Sequence, residues 1–130
     1  MSFEGFKKKS EENYTAGEFC EANHFYSGSI NRYYYSLFQF LIAILEKEGY
    51  ELTEEDKKSK GTHGETFKRI RSLIEKRFGK DRQTGLYSHS LTLTELRAKA
   101  DYSEQEIEIE EIKKFKLSMN KFKKGAELLL

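Results

Sequence analysis

A chain of 130 residues with a formal charge of +1 is long enough for one domain with a single core. No proline, nine glycines, 35% charged and 14% aromatic residues favour long uninterrupted helices and argue against a low-complexity or disordered chain. The near-neutral charge excludes a uniformly basic nucleic-acid binder and an acidic tail, so any phosphate binding requires a local cluster of charge. We expect one domain over residues 1–130.

Nothing in the sequence calls for secretion or a membrane. The single cysteine, Cys20, excludes an intrachain disulfide and fits the reducing cytoplasm. The charged N-terminal segment lacks the apolar core of a signal peptide. The longest apolar run, Tyr33 to Leu45, is interrupted by Ser36 and Gln39 and is shorter than the roughly 17–25 residues that cross a bilayer. We expect a cytoplasmic protein without a membrane partner.

Five helices are predicted, because apolar residues recur at intervals of three and four and nowhere alternate by two. The first runs from about Ser2 to Asn23, and small residues in its seam indicate close approach of a neighbour. The second runs from about Ser27 to Glu48, with Ser27 or Ser29 as cap and Gly49 at its end. Because it is apolar on nearly every side, it should lie at the centre of the fold.

The second half of the chain is predicted to hold three helices separated by polar loops. A charged segment from Tyr50 to Thr62 is expected to be the least ordered part. The third helix runs from about Gly64 to Phe78 and stops at Gly79, and a loop over 79–85 leads to the fourth, from about Gly85 to Ala100. The residues expected to face the core are Phe67, Ile70, Leu73, Ile74 and Phe78, followed by Leu86, Leu91, Leu93 and Leu96.

The last predicted helix begins near Glu108, after a turn that Ser103 and Glu106 would cap. Its apolar stripe follows alternating intervals of three and four. The stripe consists of Ile112, Phe115, Met119, Phe122, Ala126 and Leu129. Together these elements predict an all-α, up-and-down bundle of four to five helices.

Metal and nucleophile chemistry are not supported by the residue spacing. The three histidines, His24, His63 and His89, and the one cysteine have no HExxH or CxxC arrangement, and no glycine-rich phosphate loop is present. Cys20 is expected to be a core residue. We therefore expect no metal and no cofactor.

The segment from Lys68 to Arg82 carries seven basic and two acidic residues. Such density on a helix is sufficient to attract RNA or nucleotide phosphates, with Arg69 and Arg71 as candidate contacts. The alternative is a solvated outer face that is balanced by the acidic residues 104–111.

Arg32 lies on an otherwise apolar helix, and Arg97 with Asp101 forms a second polar element. Arg32 can share one edge of the second helix with Tyr35, Ser36 and Gln39, and Arg97 lies four residues before Asp101 on the fourth. An arginine at such a position must be paired or face a cleft, because burying it unpaired is costly. One interpretation is a set of interhelical Arg–Asp bridges capped by tyrosine hydroxyls; the other is a polar pocket for a phosphate or base.

The segments SINRYYYSLFQF, THGETFKRIRSLIEKRFG and TELRAKADY resemble the HEPN family, the higher eukaryotes and prokaryotes nucleotide-binding domains. The matching positions are Asn31, Arg32, Tyr34, Tyr35, Phe38, Thr62, His63, Leu96, Arg97, Ala100, Asp101 and Tyr102. The resemblance implies a HEPN-like helical bundle, commonly a homodimer, often encoded beside a nucleotidyltransferase in a toxin–antitoxin or defence pair. Many members are metal-independent ribonucleases in which an arginine holds the phosphate and a histidine moves the proton.

The sequence departs from that ribonuclease pattern at the position that matters. Gln39 stands where Arg32 would need a histidine, and the Arg97 segment reaches Tyr102 without one, so the nuclease motif is predicted to be degenerate. Arg82 and His89 have a matching interval, but a helix start is predicted between them.

Three functions follow as hypotheses. The first is RNA or nucleotide binding in a polar cleft by a domain with little or no nuclease activity. The second is an active metal-independent endoribonuclease that uses Arg32 or Arg97 with His63 or His89, and the third is a non-catalytic dimerisation module. The candidate ligand-binding residues are Asn31, Tyr34, Tyr35, Gln39, Asp101, Tyr102, Arg69 and Arg71. Tyr34→Phe or Tyr35→Phe is predicted to alter ligand binding more than stability.

Overall fold

The structure, a computed structural model, describes residues 2–50 and 62–130, with the side chains of the second range described from residue 64. These residues form an all-α bundle without a β-strand, which confirms the predicted fold class. The five helices are α1 Phe3–Ala22, α2 Tyr26–Lys47, α3 Thr62–Phe78, α4 Lys80–Tyr102 and α5 Ile109–Glu127. The predicted loop after α2 falls, apart from its ends, outside the described residues.

Helix α2 lies at the centre of the bundle, as predicted. It packs against each of the other four helices, and 13 of its 22 residues are buried. A second, smaller apolar cluster, formed by Phe6 of α1 with Phe38, Ile42 and Ala43, closes the side of α2 that faces α1. On a helix packed in this way, each buried polar side chain that finds no hydrogen-bond partner has an energetic cost.

Small residues let α1 and α2 pack closely in antiparallel orientation. The hydroxyl of Ser10 donates to the carbonyl of Ser36 at 2.5 Å, and the hydroxyl of Ser36 donates to the carbonyl of Ser10 at 2.7 Å. Two turns further along α1, a Cβ atom added at Gly17 would lie only 2.6 Å from the ring of Tyr33. The predicted close approach along the α1 seam is therefore confirmed.

The later helices also run antiparallel to their neighbours. A single residue, Gly79, joins α3 to α4, and its φ of +105° explains why glycine stands there. Between α4 and α5, Leu86 packs against Gly125, and Lys99 forms an ion pair with Glu111 at 2.8 Å. All three close helix pairs are thus hairpins, as an up-and-down bundle requires.

Helix α4 is longer than predicted, because the expected loop over 79–85 is helical from Lys80 onward. Gly85, the predicted start of this helix, lies inside it. An interior glycine costs only about 1 kcal/mol relative to alanine, and the packing of Leu86 on α5 offsets this cost. Asp81 in the first turn of α4 also complements the helix dipole.

Two predicted caps are wrong. Neither Ser27 nor Ser29 caps α2. Only three residues separate the end of α1 from Tyr26, where α2 begins, so both serines lie inside the helix, and Ser29 is fully buried. Ser103 terminates α4, whereas the capping box of α5 is formed by Glu108 and Glu111.

The core positions predicted from periodicity are largely confirmed. Every residue of the α5 stripe, from Ile112 to Leu129, is buried. Phe78 and Leu91 are exceptions, since both are exposed, and the buried position near Leu91 is occupied by Ser90 instead. The fourth helix was the least periodic in sequence, and its core positions were correspondingly the hardest to predict.

Two carboxylates tie neighbouring helices to α5. Glu21 of α1 accepts hydrogen bonds from the Tyr33 hydroxyl at 2.7 Å and from the Lys116 ammonium at 3.1 Å. Burial alone would raise the pKa of Glu21, but these two donors outweigh it and lower the pKa. The backbone N–H of Glu108 and the ammonium of Lys99 lower the pKa of Glu111.

Substitution of two glycines should have opposite effects on stability. Gly17→Ala should lower the free energy of unfolding by about 1–3 kcal/mol, because the new methyl group would overlap the Tyr33 ring. Gly85→Ala should raise it by about 0.5–1 kcal/mol, because a Cβ there meets no atom within 4 Å. Urea unfolding measures both; similar effects in the two variants would contradict the close α1–α2 packing.

The bundle should lose stability in acid through Glu21 and Glu111. The folded pKa of each lies below the usual value of 4.5, so their contribution is complete at neutral pH and is lost as the pH falls through the folded pKa. Glu111→Gln should lower the melting temperature at neutral pH and reduce its decline between about pH 5 and pH 3. An unchanged decline in this variant would show that Glu111 does not contribute.

Candidate functional site

Arg97 lies against two of the consecutive tyrosines of α2. Its guanidinium carbon is 4.7 Å from the ring centre of Tyr34 and 5.7 Å from that of Tyr35. Nη2 also lies 3.5 Å from the Tyr35 hydroxyl, and Nε donates to Asp101 at 3.2 Å. Only 16% of the Arg97 side chain is exposed. The two tyrosine rings and the Asp101 carboxylate together stabilise its positive charge.

Asn31 completes this group, which we name the Arg97 cluster: Asn31, Tyr34, Tyr35, Arg97 and Asp101. The amide of Asn31 donates to the second carboxylate oxygen of Asp101 at 3.3 Å, which links α2 to α4. The Arg–Asp pair itself lies within α4, at positions four apart. The contacts between α2 and α4 are thus those of Asn31 with Asp101 and of Tyr35 with Arg97. They replace the interhelical Arg–Asp bridges that one interpretation of the sequence predicted.

Burial of Tyr34 raises its pKa to about 12, even though the positive charge of Arg97 acts in the opposite direction. The phenol therefore stays protonated at neutral pH. Tyr34 also packs edge-on against Phe67 of α3, with ring centres 5.9 Å apart. Its ring is a core element, with the guanidinium of Arg97 against its face.

Arg32 belongs to a different hydrogen-bonded group. Its side chain is exposed and donates to the amide oxygen of Asn13 in α1 at 3.3 Å, and the Asn13 amide donates to Gln39 at 2.7 Å. Arg32 therefore contacts α1, whereas Arg97 contacts Tyr35 and Asp101. The two arginines predicted to share one cleft thus have different hydrogen-bond partners, although Tyr35, which contacts Arg97, lies one turn from Arg32 on α2.

The remaining predicted site residues are spread along α3 and the end of α4. Tyr102 is the last residue of α4 and is 74% exposed, and Arg69 is half-buried on α3. The backbone of His63 lies in the first turn of α3, but its side chain falls outside the described residues. The structure therefore does not test the proposed pairing of His63 with either arginine.

Arg71 is a half-buried cation without an acidic partner among the described side chains. Its guanidinium carbon lies 4.9 Å from the ring centre of Tyr87, and Nη1 donates to Ser90 at 3.2 Å. Nε is buried and has no hydrogen-bond partner among the described residues, and burial lowers the pKa of Arg71. Such a charge is costly in isolation, so an anionic acceptor would stabilise it.

A second basic region was not recognised from sequence. Arg82 and His89 lie on the same continuous helix, α4, and line one cavity with Lys121 and Lys124 of α5. The helix boundary that was predicted between Arg82 and His89 does not exist. Their spacing of seven residues, two helical turns, was the available signal, whereas the contribution of α5 required the tertiary fold.

Comparisons with known proteins do not identify the chain. No family model, no curated protein and no solved structure matches it. Within residues 2–50 and 64–130, no three His, Cys, Asp or Glu side chains are grouped so that they could hold a metal ion. None of the described helices combines the length and apolar character needed to cross a membrane.

Arg97→Ala should lower the free energy of unfolding by about 2 kcal/mol, because it removes both ring contacts and leaves Asp101 without its cation. Arg32→Ala, the matched control, should change it by less than about 0.5 kcal/mol, because that side chain is exposed. Tyr35→Phe keeps the ring and should also cost no more than about 0.5 kcal/mol. Equal losses for the two arginine variants in urea unfolding would contradict the structural role assigned to Arg97.

Proposed function

We propose that this chain is a HEPN-like helical domain that binds RNA or a nucleotide, with weak or absent nuclease activity. The proposal combines the motif resemblance, which covers residues of α2, α3 and α4, with the all-α bundle. The binding surface that we propose lies along α3 and α4, and the Arg97 cluster fixes the position of α4 against α2.

The observation that carries the proposal is that Arg71 lies against Tyr87 and has no acidic partner among the described side chains. A guanidinium pairs well with a phosphate group, whose oxygens accept two parallel hydrogen bonds. Tyr87 is 46% exposed, so the rest of its ring is available for stacking with an unpaired base. A fixed arginine beside an exposed ring is therefore suited to single-stranded RNA.

The surrounding charge supports the same surface. Lys68 and Lys76 on α3 are exposed. Arg77, by contrast, is engaged by Glu48 at the end of α2 and contributes less free charge. A local excess of positive charge on a chain that is nearly neutral overall raises the local concentration of phosphate groups.

A degenerate nuclease motif is supported by the position of Gln39. Its amide oxygen accepts a hydrogen bond from Asn13, and an amide cannot act as a general base. Arg97 is already paired with Asp101, so a phosphate group would have to compete with a carboxylate for it. We therefore assign Arg97 a positioning role, and Arg71 the phosphate contact.

RNA binding should depend on Arg71 more than on an unrelated lysine. We expect labelled single-stranded RNA and tRNA to bind the purified chain in EDTA, with Arg71→Ala weakening affinity about tenfold. The dependence of log affinity on log salt should become shallower by about 0.7, the value for one phosphate contact on a single strand. Fluorescence anisotropy at several salt concentrations measures both quantities.

Lys113→Ala is the matched control, because Lys113 is an exposed residue of α5 that faces Glu110 and its loss removes the same charge. Arg71→Lys should recover only part of the affinity, because an ammonium lacks the planar fork. Equal weakening by Arg71→Ala and Lys113→Ala, or no binding at all, would refute the assigned surface.

The same preparation tests the two alternatives. RNA cleavage in EDTA that is abolished by Arg97→Ala or His89→Ala would support the endoribonuclease. A stable dimer in analytical ultracentrifugation, without RNA binding, would support the dimerisation module. A homodimer, or a complex with a nucleotidyltransferase antitoxin, is compatible with the RNA-binding proposal and follows from the resemblance alone.

A further inference from the structure

A cavity of about 470 Å³ lies between the first half of α4 and the second half of α5, with one residue from α3 at its base. Its volume falls in the range of small-molecule sites. The residues that line it are Ile74, Arg82, Gly85, Leu86, His89, Lys121, Lys124, Gly125 and Leu128.

The charges around this cavity are all of one sign. Arg82, Lys121 and Lys124 contribute three cations from two helices, and no aspartate or glutamate is among the described residues that line the cavity. None of the three forms an ion pair within the described part of the chain. Several cations around a concave, partly apolar surface raise the local concentration of anions.

Part of the cavity wall is apolar, and Gly85 leaves open space in it. Ile74, Leu86 and Leu128 supply the apolar surface, and Leu86 sits directly over Gly125, where an added Cβ would lie 2.5 Å from it. At Gly85 an added Cβ would meet no atom within 4 Å. The cavity is therefore open at Gly85, and a larger side chain at this position would occupy it.

His89 adds a fixed polar group to the wall. Its Nδ1 is 3.2 Å from the hydroxyl of Ser118 on α5, which orients the ring and leaves Nε2 for a second partner. Burial and the charge of Lys121 lower the pKa of His89, so the imidazole is neutral at physiological pH. A neutral ring can donate one hydrogen bond or stack on a planar group.

We infer that this cavity binds a small organic phosphate that also carries a planar or apolar portion, with a nucleoside monophosphate as the simplest example. The phosphate would lie among Arg82, Lys121 and Lys124, and the planar portion would lie on Leu86 and beside His89. The site is distinct from the proposed RNA surface, because its α4 residues face α5, whereas Tyr87 and Ser90 contact Arg71 of α3. Its occupation does not depend on RNA binding.

Isothermal titration calorimetry of the purified chain with AMP, adenosine and inorganic phosphate measures the three affinities and tests this inference. AMP should bind at least tenfold more tightly than either of the other two, because only AMP can use both halves of the cavity. Gly85→Leu should abolish AMP binding without lowering the melting temperature, since the new side chain fills the cavity at an open helical position. Lys121→Glu should weaken AMP binding at least tenfold through charge reversal.

Two further variants locate the ligand. Lys113→Ala and Arg71→Ala should leave AMP affinity unchanged, since neither residue lines the cavity. The inference would be overturned by unchanged AMP binding in Lys121→Glu, by equal affinities for AMP and inorganic phosphate, or by no binding of AMP. Loss of AMP binding in Arg71→Ala but not in Lys121→Glu would also overturn it, because it would place the nucleotide on the α3–α4 surface.

Discussion

The packing of α2 against all four other helices is the constraint on which the rest of the structure depends. Each helical residue is rotated by about 100° from the last, so three consecutive tyrosines must point in three directions. Tyr33 reaches Glu21 of α1, Tyr34 enters the core beside Phe67, and Tyr35 meets Arg97 of α4. Three phenols thus complete the core and supply polar contacts to the surrounding helices.

The same requirement accounts for the arginines around α2. An aromatic face and a carboxylate together offset the burial of the Arg97 guanidinium, so this residue serves the fold first. Arg71 has the aromatic contact without the carboxylate. This difference is why Arg71, rather than the pair Arg32 and Arg97, carries the proposal for phosphate binding.

The fold could be predicted from the sequence where burial repeats strictly along one helix, as in the α5 stripe from Ile112 to Leu129. It could not be predicted for α4, because Gly85 and a run of threonines and serines weaken the local helix signal, and only packing against α5 compensates. The candidate site was harder. Arg97 and Asp101 were found from spacing, but the cavity beside His89 depends on lysines that lie more than thirty residues further along the chain.

The one-residue connection at Gly79 has an evolutionary consequence. Because α3 turns directly into α4, the number of residues between Arg71 and Ser90 sets their meeting point. A single insertion inside either helix between them would rotate one partner by about 100° and carry it one residue along the axis. Related chains that keep this contact must therefore conserve the interval between the two positions, even where the identities of the intervening surface residues drift.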